Sequence, residues 1–179
     1  MTEVTPVTTP HVFDAAAILG IGTPSTELLP DPEEGFVTLV IPDGLSLQTL
    51  RDSDVGKKLM HRQDWYDEYH WSSQTLPAGI YRLRIPVLAS GRKTAGEQVA
   101  MLPAGETLAP VVLVATALLC IRLQGGSDPL NYAWTRCAEH LADCDHVVLS
   151  WSGGRLYVYV GFWDDDRLDS LVASSLRTS

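Results

Sequence analysis

Hydrophobic and polar positions alternate most regularly in residues 147–163. The segments VVLSWS and RLYVYVGFW flank Gly153-Gly154, and two glycines between alternating runs mark a two-residue β-hairpin turn. In the register set by that turn, Trp151 faces Leu156, Leu149 faces Val158 and Val147 faces Val160, so one face is wholly apolar. The other face sets Ser150 beside Tyr157 and Val148 beside Tyr159. A slip of one residue would scramble this sorting, because successive strand side chains point to opposite faces. Two further runs read as strands. Residues 36–41 (FVTLVI) stop at Pro42-Asp43-Gly44, a turn in which Pro presets φ and Gly tolerates a positive one. Residues 80–88 (IYRLRIPVL) put Tyr81, Leu83, Ile85 and Val87 on one face, and Pro86 suggests a sheet edge or a frayed end.

Helical signals lie between these runs. Residues 108–123 are apolar almost all round and stop at Gly125-Gly126, as expected of a buried central helix. Thr94 followed by Glu97 is a capping box and predicts a short helix over 95–102. A short helix is expected over 11–19, another over 45–60 with a break near Gly56, and a last one from Asp166 to about Leu176. Residues 130–140 are ambiguous. Ser127-Asp128-Pro129 resembles a helix start, yet Tyr132, Trp134 and Thr135 favour a strand, and an isolated hairpin needs a third strand. The strand reading is preferred, giving a C-terminal meander. Residues 1–10 mix Thr and Pro without periodicity and read as a flexible lead-in to one domain over 11–179. The expected architecture is α+β: a mostly antiparallel sheet (36–41, 80–88, 132–140, 146–152, 155–163), its C-terminal meander packed on the 108–123 helix.

Composition narrows the classes. The 179 residues are 45% hydrophobic and 20% charged, which excludes a collagen or a disordered polyelectrolyte. The run 109–121 is too short to span a bilayer, and no basic segment precedes an apolar stretch at Met1, so neither a membrane span nor a secretory signal is expected. Three cysteines, an odd number, do not form a disulfide framework and point to a reducing cytoplasm. The net charge of −9 is uneven: residues 1–50 hold seven acids and no Lys or Arg. Binding to nucleic acid rests on clustered cations, so no nucleic-acid partner is expected; an acidic mimic of nucleic acid is physically allowed, but solubility explains the charge as well.

Trp65-Tyr66, Tyr81-Arg82-Leu83, Pro86-Val87, Lys93-Thr94, Glu97-Gln98, Leu102-Pro103, Gly105-Glu106, Arg136-Cys137 and Gly154 together resemble a group of small uncharacterised bacterial proteins, over roughly residues 62–175. The resemblance implies a strand over 132–140. It implies no activity, cofactor or catalytic residue.

Three constellations carry candidate chemistry. Cys137, His140, Cys144 and His146 form C-x2-H-x3-C-x-H, a possible structural zinc site. On a strand, however, Cys137 and His140 point to opposite faces, and a buried Cys137 with surface histidines is the plainer reading. Arg92, Lys93 and Thr94 sit between a strand and a helix, where an anion or a small-molecule substrate could meet backbone N–H groups; a capped helix with solvated bases explains them too. Residues 62–71 (RQDWYDEYHW) concentrate aromatics, with Trp65 and Tyr69 at helical spacing, and Tyr157 and Tyr159 share the half-polar hairpin face. Aromatic side chains anchor interfaces, so Trp65, Tyr66, Tyr157 and Tyr159 are the candidate contacts of a non-enzymatic domain that binds another protein or itself. No cofactor is expected. Asp164-Asp165-Asp166 reads as a solvated helix cap and lacks the calcium-loop pattern.

Overall fold

The structure, a computed structural model, describes residues 11–126, 128, 130, 132–142 and 145–177. The lead-in expected over 1–10, the Ser127 and Pro129 of the ambiguous helix start, and Cys144 lie outside the described residues.

The fold is α+β, built on two sheets rather than the single sheet expected. The first comprises β1 (His11–Asp14), β2 (Val37–Ile41), β3 (Gly79–Arg84), β4 (Glu106–Leu108) and β9 (Ser175–Arg177), in the order β1-β2-β3-β9-β4. The second comprises β5 (Trp134–His140), β6 (Asp145–Ser152), β7 (Arg155–Trp163) and β8 (Leu171–Ala173), in the order β7-β6-β5-β8. β5, β6 and β7 form the expected antiparallel meander. Trp151 faces Leu156, Leu149 faces Val158 and Val147 faces Val160, the register predicted from the glycine turn. Gly153 and Gly154 both hold positive φ there, at 57° and 79°.

The central helix α6 (Val111–Leu123) is buried at every residue from Val111 to Ile121. One side packs on β5 and β6. Another meets α1 (Ala15–Leu19) and α2 (Leu47–Asp52). A helix apolar all round needs this enclosure, because no face of it is compatible with water. The inner faces of both sheets, through Leu39 and Leu83 on one and Leu149 and Val158 on the other, join α6 in one core.

Several local expectations change. Residues 11–14 are a strand parallel to β2, and only 15–19 are helical. The 45–60 helix divides at Ser53, whose hydroxyl caps α3 (Asp54–Leu59); Gly56 lies inside α3, so close to α2 that a Cβ would stand 2.0 Å from the Leu50 carbonyl oxygen. α4 (His70–Ser73) is a single turn, and α5 (Ala95–Ala100) has the predicted capping box of Thr94 and Glu97 but ends two residues early. β3 stops before Pro86 and lies inside its sheet, between β2 and β9, so Pro86 marks a strand end and not a sheet edge. In place of the predicted C-terminal helix, 166–170 is loop and turn and 171–177 is largely strand. Asp166 accepts the N–H of Trp163 instead of capping a following turn, and 171–177 runs from the second sheet (β8) into the first (β9). Ser174, at the crossing, bonds Thr135 through its hydroxyl (2.8 Å), and its carbonyl accepts the Ala109 N–H.

Candidate interaction surface

Strand alternation gives the second sheet an outer face away from α6, carrying Trp134 and Arg136 from β5, His146, Val148 and Ser150 from β6, and Tyr157 and Tyr159 from β7. Half of this face is covered. Arg136, wholly buried, donates to the carbonyls of Lys93, Trp163 and Asp166 and to Gln98 Oε1, at 2.9–3.1 Å. Gln98 in turn donates to the carbonyls of Ser90 and Leu171. Burial lowers the Arg136 pKa, and the carboxylates of Asp166 and Asp164 offset part of that. The result is a clamp that ties the 90–98 and 163–171 segments to the sheet. Gln98 and Arg136, both among the residues that carry the resemblance, therefore have structural roles through their side chains.

The other half is open and aromatic. A bulge after His146 pairs that residue with Phe162, with Gly161 as the extra residue at φ 150°. The extra residue turns Phe162 onto the outer face, where its ring lies 5.9 Å from that of Trp134; the Tyr159 ring lies 5.7 Å from the same indole. Tyr159 is 48% exposed. β7 is also an edge strand. Its start is covered, since the His61 N–H donates to the Leu156 carbonyl (2.8 Å) and the His61 ring stacks on Tyr157 at 4.3 Å. Val158 and Val160, whose backbone groups face the same way by alternation, have no such partner among the described residues.

The sequence candidates are thus separated. Tyr159 stands in the open cluster. Tyr157 is half-buried under His61. Tyr66 is 0% exposed and offers nothing to a partner. Trp65 packs against Tyr66, Tyr69 and Trp71 at 5.3–6.2 Å, a cluster internal to the fold. Phe162 and Trp134 were missed, because the hairpin pattern alone does not reveal the bulge that turns Phe162 outward, and Trp134 comes to it from another strand.

Of the anion-binding candidates, the Arg92 guanidinium and the Thr94 hydroxyl already have partners within the chain, while the Lys93 ammonium has no ion pair among the described residues. Arg92 pairs with Asp169 through two of its nitrogens. The Thr94 hydroxyl caps α5, and the Lys93 carbonyl serves Arg136. Cys137 faces the core, with burial pushing its thiol well above the ordinary range. His146 Nε2 stands 2.9 Å from Asp164 and its Nδ1 3.4 Å from the Cys137 carbonyl; burial lowers its pKa against the pull of both oxygens. His140 is exposed, its ring 5.9 Å from that of His146. Among the described residues no three His, Cys, Asp or Glu side chains gather closely enough to hold a metal ion, and no helix is long and apolar enough to cross a membrane. In comparisons with known proteins, the chain matches no family model, no curated protein and no solved structure.

Proposed function

We propose that the protein is a non-enzymatic, cytoplasmic interaction domain that binds another protein through the aromatic outer face and free edge of β7. The observation that carries this reading is the coincidence of the Trp134–Tyr159–Phe162 ring cluster with two unpaired backbone positions on an edge strand. An extended partner segment can add to such an edge through main-chain hydrogen bonds, while the rings supply apolar anchorage. The charge of −9 on each copy opposes self-association and favours a different protein as partner. Free, buried Cys120 and Cys137 fit a reducing compartment.

Affinity capture from the native host tests the reading with three baits. The wild type is expected to retain a stoichiometric partner, and Tyr159→Ser with Phe162→Ser to lose it by roughly tenfold, the value of one or two anchor side chains. Trp65→Ala, which opens an internal cluster, should lower the melting temperature and keep the partner. Equal capture by the first two baits would overturn the assignment of the surface. Dimerisation in sedimentation that the double substitution abolishes would replace the different protein with a second copy.

A further inference from the structure

The outer face of the first sheet carries a second, unrelated surface. Residues 22–30 arch over it as a strap, tied down where Asp14 accepts the Ser25 N–H at 2.9 Å. Between strap and sheet lies a cleft of about 600 Å³. Val40 and Ile80, paired across β2 and β3, form its apolar floor, and Ile80 is 52% exposed. Pro30 and Pro42 contribute walls. Leu28, on the strap, is 99% exposed, so burial inside this chain does not explain it.

The charge around the cleft has one sign. Its lining includes Asp14, Glu27 and Asp43 and neither Lys nor Arg. Asp14 is occupied, accepting from Ala17 and Ser25. Glu27 and Asp43 are exposed, and their carboxylates have no side-chain partner among the described residues. The bases of the same sheet face already have carboxylate partners of their own: Arg82 and Arg177 share Glu33, and Arg84 pairs with Glu106. An apolar floor under uncompensated carboxylates is complementary to a cation carried beside an apolar group.

We infer that this cleft docks a basic segment of another protein, seating an apolar side chain on Val40 and Ile80 and a lysine or arginine against Glu27 and Asp43. The site lies on the first sheet and the aromatic surface on the second, so the two readings stand or fall separately.

Fluorescence anisotropy with a labelled decapeptide of Lys, Leu and Gly, at about 50 mM salt to limit screening, tests it. Glu27→Gln with Asp43→Asn should weaken binding roughly tenfold, and Ile80→Ser roughly fivefold, changes on the scale of an ion pair and a lost apolar contact. Glu68→Gln with Asp165→Asn removes the same charge elsewhere and should leave affinity within about twofold. Replacing Leu by Ser in the peptide should cost as much as Ile80→Ser. Three results would overturn the proposal: no binding, equal loss from the control pair, or indifference to both the Ile80 change and the Leu-free peptide. Tyr159→Ser with Phe162→Ser should have no effect on this peptide.

Discussion

Glu139 shows how a single carboxyl sets the pH response of the core helix. Pro110 precedes α6 and has no side-chain cap to offer, and Glu139 reaches in from β5 to accept the Val111 N–H at 2.8 Å. A carboxylate at a helix N-terminus is ordinarily stabilised by the dipole. Here burial wins over the backbone N–H groups of Val111 and Glu139 and pushes the pKa from 4.5 up to about 7. A group whose folded-state pKa is raised stabilises fully below its unfolded value and loses that contribution as pH climbs through the folded one. Stability from Glu139 should therefore fall between about pH 4.5 and pH 7. The loss is on the order of 1–3 kcal/mol, since one pKa unit is worth about 1.4 kcal/mol and residual solvation takes part of it. His146 acts in the opposite sense, because burial lowers its pKa and its stabilisation rises with pH. The difference between wild type and Glu139→Gln isolates the carboxyl, as Gln keeps an acceptor for Val111. Urea unfolding at pH 5 and pH 8 should show the variant gaining on the wild type at the higher pH; parallel behaviour at both would contradict the assignment.

At the scale of elements, Gly161 shapes the proposed interface. A Cβ there would stand 2.7 Å from the Tyr159 ring, on a backbone at φ 150° that side-chain-bearing residues rarely adopt. Gly161→Ala should displace that ring from Trp134 and cost about 1–3 kcal/mol, the range for strain at a special backbone position. A changed near-UV circular dichroism band together with a lowered melting temperature would report both effects, and an unaltered spectrum would mean the bulge tolerates a side chain. The same strand shows what was legible in sequence. Residues 147–160 were readable because turn chemistry and two-residue alternation are local and agree. The bulge was not, since Val160-Gly161-Phe162 carries no mark of which residue is the extra one until His146 is placed opposite. Tyr66 misled for a related reason: its position in an aromatic run says nothing of the Trp65 and Trp71 rings that enclose it. The capping box at Thr94 was legible, and so was a plain reason for Thr94 being there.

Across the whole molecule, residues 171–177 hold the two sheets to one core, although Asp166 as an N-cap suggested a helix. Helix propensity yields here to pairing on both sides. Val87 donates to the Ala173 carbonyl while β5 runs parallel on the other flank, and Leu171 to Ala173 are buried throughout. Beyond Ser174 the chain becomes β9 and lies between β3 and β4, the partner through which β4 joins its sheet. Such long-range pairing is invisible to a local pattern, because the residues that decide it are about 40 to 90 positions away. It also makes the last strand a condition of the fold. Truncation after Ser174 would strip β4 of its ladder and uncover the β3 edge and Leu83, which Leu176 faces. It would also take the Ser175 hydroxyl from Glu106, whose carboxyl burial pushes up while Arg84 and Ser175 hold it below its ordinary value. The shortened chain should lose several kcal/mol and its cooperative urea transition, with dye-binding apolar surface exposed. A sharp transition near the wild-type midpoint would show that each sheet stands without the strand that crosses between them.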